Sequence, residues 1–302
     1  MRYRGIIPPL ITPLIDRDTL DVEGLNKLVD HVIQGGVHGV FALGTTGEGP
    51  CLSYRLRREI IKQVCEEVGG RVPVFISITD TSFVESVELS KAAAEAGADV
   101  VVLSSPYYFP VEQIELIKYI EHIVPQLALP VMLYNIPSLT KVRFELDTLK
   151  FLSGFDRIYG VKDSGGDLSY FEDLCRLSSI RDDWSFLMGP EEKLSQPSSL
   201  GGHGGVNGGA NVFPRLFVDA YQAAVAGDET MAARLQEKIE AFGQIYSIGN
   251  YASRFIKGTK CAASIQGLCG EIMVEPFNQF YPEDRAKVEA ILNCLKQDAS
   301  LY

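Results

Sequence analysis

The sequence predicts a (β/α)8 barrel, or TIM barrel, followed by a helical extension. Two observations carry this prediction. Eight short apolar runs rich in β-branched residues alternate with amphipathic stretches at nearly regular spacing, and most of these runs are apolar at consecutive positions. Such runs are typical of parallel strands that are covered on both faces. Eight of them in unbroken alternation with helices favour a closed barrel over an open sheet.

The predicted strands follow one another along the first two thirds of the chain. They are residues 5–14, 39–44, 72–78, 98–105, 129–136, 157–162, 184–189 and 203–209. The eighth is the weakest, because HGGVNGG is rich in glycine. In the segments between them, apolar residues recur every three or four positions, as in amphipathic helices.

The last part of the chain has a different pattern. After about residue 226 it carries three more helical segments and no clear strand. We therefore expect residues 1–226 to form the barrel and residues 227–302 to form a C-terminal helical extension that packs on it.

Composition narrows the class of protein. The chain has 302 residues, of which 46% are hydrophobic and 22% charged, with a net charge of −11. This acidic balance disfavours nucleic-acid and anionic-membrane partners. The six cysteines form no C-x-x-C pair and the four histidines do not cluster, so we expect reduced thiols and no structural zinc. The first 18 residues lack a signal-peptide pattern, and the sequence predicts a cytoplasmic enzyme.

Lys162 ends the sixth apolar run, at the level where barrel strands form an active-site mouth. Among neighbours such as Ile158 and Val161, desolvation would lower the amine pKa from about 10.4, so that the free base could attack a carbonyl. Alternatively, the ammonium group snorkels to water or pairs with adjacent Asp163. The lysine by itself does not decide between these readings.

Tyr134 ends the fifth run and also has two interpretations. Its hydroxyl either satisfies a backbone carbonyl or transfers protons near a Schiff base. Proton transfer needs further hydroxyls that lead to solvent, and Thr46 and Tyr108 are the candidates.

Two loops are rich in glycine. GTTGEG (44–49) offers backbone N–H groups and two hydroxyls that suit a carboxylate, or it is only a capped turn. It lacks the G-K-[ST] of a nucleotide-binding loop. GGHGGVNGG (201–209) lacks G-x-G-x-x-G, so we expect a barrel bend or a close approach of backbone to ligand there.

Three motifs together resemble a known family. GTTGEG after the second strand, YNIP after the fifth and GVKDSGGD at the sixth are similar, in order and separation, to the dihydrodipicolinate synthase / N-acetylneuraminate lyase family of Schiff-base class I aldolases. The likeness runs from about residue 5 to about residue 226, and the helical tail also fits. Three ordered motifs are far more specific than any one of them.

The resemblance implies a catalytic set. Lys162 would form an imine with the keto carbon of pyruvate or of a longer 2-oxo acid, and Tyr134 would donate and accept protons. Thr46 and Tyr108 would complete the relay. In such enzymes the tyrosine that matches Tyr108 comes from a neighbouring subunit, which implies a homo-oligomer, commonly a tetramer built as a dimer of dimers.

The same resemblance implies how the 2-oxo acid is held. Backbone and hydroxyl groups of Thr45, Thr46 and Gly47 would bind its carboxylate. Because the protonated imine is the electron sink, neither a metal nor an organic cofactor is expected.

Leu139 separates this chain from part of the family. Dihydrodipicolinate synthases resemble this chain at YNIPSLT but have an arginine at the position of Leu139. That arginine binds the carboxylate of the second substrate. Leucine cannot replace those charge-assisted hydrogen bonds of about 1.5–3 kcal/mol, which disfavours aspartate semialdehyde. Leucine is instead similar to sialic-acid lyases and some 2-keto-3-deoxy sugar-acid aldolases, although Lys141 could supply a nearby cation.

Four further positions bear on the second substrate. Gly189, Glu191 and Glu192 fall where sialic-acid lyases place an acidic pair that faces the polyol chain. Alternatively, the two glutamates only open a helix, where acidic residues suit the helix dipole. Gly208 stands where those lyases carry a serine, which argues against sialic acid itself.

Ser164 and Asp167 follow Lys162 and either line the mouth or cap the next helix. The sequence thus predicts a class I aldolase that reversibly cleaves a 2-oxo-3-deoxy sugar acid, similar to N-acetylneuraminate or 2-keto-3-deoxygluconate, to pyruvate and an aldehyde. Three alternatives stay open: a dihydrodipicolinate synthase, a sugar-acid dehydratase that uses the same imine, and a non-catalytic 2-oxo-acid-binding barrel.

Overall fold

Eight parallel strands curl around a common axis in the computed structural model, which describes residues 3–196, 199–277 and 280–296. The strands are β1 (Gly5–Ile6), β2 (Val40–Ala42), β3 (Val74–Ser77), β4 (Val100–Ser104), β5 (Val131–Asn135), β6 (Ile158–Asp163), β7 (Ser185–Met188) and β8 (Gly204–Gly205). Their order in the sheet is β1-β8-β7-β6-β5-β4-β3-β2. The predicted barrel class is confirmed.

The barrel closes between β1 and β2 through backbone bonds just beyond the short β1. Leu10 N donates to Phe41 O at 2.8 Å, and Phe41 N donates to Pro8 O at 3.0 Å. Pro8 and Pro9 have no N–H to donate, which interrupts the ladder over the predicted run 5–14 and leaves only two residues in β1.

Helices alternate with the strands and then continue alone. They are α1 (Val22–Gln34), α2 (Tyr54–Val68), α3 (Phe83–Ala96), α4 (Gln113–Ile123), α5 (Pro137–Thr140), α6 (Leu146–Leu152), α7 (Leu168–Cys175), α8 (Pro214–Ala226), α9 (Glu229–Gly243), α10 (Arg254–Ile265) and α11 (Pro282–Lys296). The helices α9, α10 and α11 correspond to the three helical segments predicted after residue 226. That residues 227–302 form an extension distinct from the barrel stays a prediction.

The strands separate two apolar cores because successive side chains point to opposite faces. The larger core lies between the strands and the surrounding helices. The smaller core fills the inside of the barrel and consists of Ile7, Phe41, Phe75, Val100, Val102, Met132, Tyr134, Ile136, Leu187 and Val206. This inner core forms the apolar floor beneath the carboxyl ends of the strands.

All six cysteines are described, and they are free thiols. Within the described ranges, no three His, Cys, Asp or Glu residues lie together in a way that could hold a metal ion. No helix in those ranges has the length and apolarity that crossing a membrane requires.

Candidate active site

Lys162 lies inside the barrel. On β6 it is the direct cross-strand partner of Tyr134 on β5 and of Leu187 on β7, both of which belong to the inner core. Only 5% of the Lys162 surface is exposed. The amine therefore does not snorkel to bulk solvent, which was one of the two interpretations of the sequence.

Two aromatic rings surround the Lys162 amine. Its Nζ lies 3.9 Å from the Tyr134 ring centroid and 4.9 Å from the Phe41 ring centroid. The rings favour the charged form by about 0.5–2 kcal/mol, whereas loss of hydration disfavours it by several kcal/mol. Desolvation is the larger effect, so the Lys162 pKa is lowered, and the adjacent Tyr134 hydroxyl opposes this only in part.

Asp163 is not the partner of Lys162, because adjacent side chains on a strand point to opposite faces. Its Oδ1 accepts hydrogen bonds from Asn135 Nδ2 at 2.6 Å and from Gly165 N at 3.1 Å. Burial raises the pKa of this carboxyl. The link to Asn135, which itself accepts from Phe144 N, ties the end of β6 to the end of β5. We had not predicted this link, although strand alternation indicates it.

Ser164 brings two predicted site residues together at the mouth. Its Oγ donates to the Tyr134 hydroxyl at 3.4 Å. A Cβ on Gly189 would lie 2.0 Å from that same Oγ, so only glycine leaves room for the serine. Ser164 thus lines the mouth, and it is Asp167 that caps α7, by accepting from Ser169 N and Tyr170 N.

The GTTGEG loop after β2 is a compact turn. Gly47 N donates to Gly44 O at 3.1 Å, and Glu48 N donates to Thr45 O at 3.0 Å. Thr46 is buried and Thr45 is half-buried. Within the described part of the chain, the N–H groups and hydroxyls of these two threonines donate no hydrogen bond to protein atoms. These groups can therefore bind an anion.

Tyr108 lies apart from this group in its own chain. It is 72% exposed on the loop after β4, and its ring packs edge to face against Phe109, with centroids 5.0 Å apart. Phe109 is 74% exposed as well. The structure thus presents an aromatic pair at the surface and does not bring Tyr108 to the Lys162 amine within one chain.

The segment 136–145 after β5 carries one guanidinium, which belongs to Arg143. Leu139 lies on α5 and is 53% exposed, and Lys141 ends this helix in the left-handed region with φ 63°. The guanidinium of Arg143 packs 4.6 Å from the Tyr170 ring centroid and approaches Asp167 Oδ2 at 3.5 Å. That Leu139 faces the second substrate stays a prediction.

Glu191 and Glu192 have opposite environments. They begin a 3-10 turn (Glu191–Lys193) rather than an α-helix. Glu192 is exposed, whereas Glu191 is 5% exposed and its Oε2 accepts from Gly209 N at 2.8 Å. Burial raises the Glu191 pKa to about 7, and the facing Tyr246 hydroxyl lowers it in part. Glu191 therefore braces the β7 and β8 loops against each other.

Glu191→Gln should change how stability depends on pH. In the wild type, an unfolded carboxyl with a pKa of 4.5 loses its proton before the folded one, whose pKa is about 7. Between these values the folded state binds more protons, so the free energy of unfolding falls as pH rises, by about 3 kcal/mol in total.

The variant lacks this titration, so denaturant unfolding should show it more stable than the wild type at pH 8, with the difference nearly absent at pH 4. Glu192→Gln is the matched control and should follow the wild type at both values. A pH-independent difference for Glu191→Gln would contradict the raised pKa.

Gly208 faces a residue that the sequence did not point to. A Cβ at this position would lie 2.5 Å from the Phe255 ring, which comes from α10. The Phe255 ring also packs against the Tyr246 ring at an interplanar angle of 43°, with centroids 4.5 Å apart. Phe255 thus occupies the space beside Gly208 where a serine side chain would extend.

Comparison with known proteins agrees with this architecture. The profile of the Dihydrodipicolinate synthetase family matches residues 2–295. The chain belongs to this family. A member of the Dihydrodipicolinate synthetase family from Ectopseudomonas mendocina, named 4-hydroxy-tetrahydrodipicolinate synthase, is 36% identical over 78% of this chain and 80% of its own. One of the same name from Methanospirillum hungatei is 31% identical over 96% and 99%.

Solved structures of the Dihydrodipicolinate synthetase family superimpose closely. Dihydrodipicolinate synthase from Bacteroides thetaiotaomicron is 47% identical, with a TM-score of 0.94 over 97% of this chain and 98% of its own. A prophage protein of the same family from E. coli K12, solved in complex with pyruvate, is 30% identical, with a TM-score of 0.92 over 97% and 99%. As a member of this family, the protein is a lyase of the Schiff-base aldolase type.

Proposed function

We propose that the protein is a cytoplasmic pyruvate aldolase that reversibly cleaves a 2-oxo-3-deoxy sugar acid to pyruvate and an aldehyde, with Lys162 as the imine-forming residue. The observation that carries the proposal is the Lys162 amine, buried at the end of β6 between the Tyr134 and Phe41 rings. A desolvated amine with a lowered pKa is nucleophilic near neutral pH.

Imine formation begins with attack of the Lys162 Nζ on the C2 carbonyl of the 2-oxo acid. The resulting carbinolamine takes a proton on its hydroxyl from the Tyr134 hydroxyl and loses water, which gives a protonated imine. The rings of Tyr134 and Phe41 face this cation as they face the amine, and they stabilise its positive charge. The protonated imine needs no metal or organic cofactor, because it draws electrons itself.

Cleavage follows from that withdrawal. The hydroxyl on C4 loses its proton, the C3–C4 bond electrons move to the imine, and the aldehyde leaves. The resulting enamine takes a proton at C3, and hydrolysis frees pyruvate and Lys162. We assign the acceptance and return of these protons to the Tyr134 hydroxyl, and its contact with Ser164 Oγ at 3.4 Å supports this role.

The carboxylate of the 2-oxo acid binds at the β2 loop. The N–H groups and hydroxyls of Thr45 and Thr46 are available there, and Gly47 permits the tight turn. Tyr108 completes the proton relay from a second subunit of a homotetramer. Its exposed position beside Phe109 supports this role, because aromatic pairs that are open to solvent suit a subunit contact.

Leu139 favours a hydroxylated aldehyde over a second carboxylate. It extends an apolar side chain from α5, and the nearby Arg143 is engaged with Tyr170 and Asp167. A second candidate is 4-hydroxy-tetrahydrodipicolinate synthase, which the names of the relatives favour. That reaction would require a cation other than the missing arginine, such as Lys141, to bind the carboxylate of aspartate semialdehyde.

Borohydride reduction in the presence of pyruvate tests the proposal. We expect intact-mass spectra to show one reduced pyruvate adduct per chain, and peptide mapping to locate it on Lys162. An adduct on another lysine, or none, would refute the assignment.

A panel of 2-keto-3-deoxy acids then identifies the aldehyde through pyruvate release, and a coupled assay with aspartate semialdehyde tests the second candidate. An adduct without turnover of any member would indicate a binding protein.

A further inference from the structure

A fully buried ion pair connects the β2 loop to the C-terminal helices. Glu48, in the loop, pairs with Lys260 of α10, and both side chains are 0% exposed. The second oxygen of Glu48 accepts from Val274 N at 2.9 Å, and Lys260 Nζ also donates to Ile272 O at 2.6 Å. The pair therefore joins three parts of the chain: the β2 loop, α10 and the segment 272–274.

Stability alone does not explain such a pair. Removing two charges from water costs about as much as their attraction returns, and apolar replacements of buried pairs are often neutral or stabilising. The pair instead fixes the position of the β2 loop relative to α10. If the loop or the helix moves, both charges lose their hydrogen-bond partners.

The ion pair holds a residue of the β2 loop, Glu48, that has a strained backbone conformation. Glu48 adopts φ 59° and ψ 18°, the left-handed region, which is uncommon for a residue with a side chain. Its N–H is bonded to Thr45 O at 3.0 Å. Fixing the carboxylate of Glu48 thus also fixes the turn that carries Thr45 and Thr46, the groups that the proposed function uses to hold the 2-oxo acid.

We propose that Glu48 and Lys260 are positioning residues that couple the docking of the 272–274 segment to the affinity of the β2 loop for the substrate carboxylate. The inference rests on the proposed function for the role of that loop. Neither side chain touches the substrate; the pair holds the loop's N–H groups in the orientation that binds it. Coupling is reciprocal, so binding of pyruvate must also tighten the 272–274 segment.

Lys260→Met tests the first half of the coupling, because methionine keeps most of the length of the side chain and removes the charge. We expect the pyruvate concentration for half-maximal borohydride trapping to rise about tenfold, while the trapping rate at saturation changes less than about twofold. The double variant Glu48→Gln/Lys260→Met leaves no unpaired charge and should show a similar rise in the half-saturating pyruvate concentration. It therefore tests the coupling if the single variant does not fold.

Lys287→Met is the matched control. Lys287 pairs with Asp284 at 2.9 Å within α11, outside the 272–274 segment and the β2 loop. This variant should leave the half-saturation point unchanged. An unchanged half-saturation point in folded Lys260→Met, or an equal shift in Lys287→Met, would overturn the coupling.

Hydrogen exchange on the wild type tests the second half and needs no variant. In the chain trapped with pyruvate, peptides that contain Val274 should exchange more slowly than in the free chain, because Val274 N–H donates to Glu48. No change there would refute the coupling. If the wild type traps no pyruvate, both the proposed function and the coupling are refuted. If the wild type traps pyruvate and Lys260→Met has the wild-type half-saturation point, only the coupling is refuted.

Discussion

Lys162→Met is expected to abolish imine formation with pyruvate and to lower turnover by about 10⁴-fold or more. The thioether has a similar length but cannot attack a carbonyl. Because Lys162 is only 5% exposed and its pKa is lowered by burial, desolvation of the amine reduces the free energy of unfolding of the wild type. The variant should therefore be at least as stable as the wild type in denaturant unfolding.

The measurements are mass spectrometry after borohydride reduction, pyruvate release, and urea unfolding. Lys150→Met is the control, because Lys150 is an exposed residue of α6 that pairs with Asp147. It should trap pyruvate and turn over like the wild type. Residual trapping in Lys162→Met would show that another amine carries the chemistry.

Tyr134→Phe is expected to lower turnover by about 10²–10⁴-fold, the range typical of a lost general acid–base group. The phenylalanine ring keeps the packing at 3.9 Å from the Lys162 amine, so the imine should still form and be trapped at high pyruvate. The defect should therefore appear in kcat more than in the half-saturating pyruvate concentration.

Single-turnover pyruvate release, compared with borohydride trapping, separates these steps. Tyr119→Phe serves as the control, because Tyr119 on α4 packs edge to face against Phe83 away from the mouth. It should retain wild-type turnover. If Tyr134→Phe turns over at the wild-type rate, proton transfer must use another group, and Ser164 becomes the next candidate.

The sequence predicted the barrel well because its strands are buried on both faces and read as continuous apolar runs. It overestimated β1, where Pro8 and Pro9 remove two donors, and β8, where the ladder covers only Gly204 and Gly205. The hydrophobic pattern of a sequence indicates which residues are buried. The length of a hydrogen-bonded strand depends on individual N–H groups, so the apolar runs are longer than the strands that they predict.

The placement of the candidate site residues was predictable where it follows from a position on a strand. Lys162 and Tyr134 are strand ends and direct cross-strand neighbours, as the motif order indicated. Phe255 and Tyr246 were not predictable, because they reach Gly208 and Glu191 from more than thirty residues farther along the chain. Glu191 and Glu192 are adjacent in sequence, and only the fold shows which of the two is buried.

The contact between Phe255 and Gly208 makes the residue type allowed at one position depend on the residue at the other. A Cβ at position 208 would lie 2.5 Å from the end of the ring, so a serine there requires the side chain at position 255 to move or to become smaller. Relatives with a larger residue at position 208 are therefore expected to differ from this chain at position 255 as well.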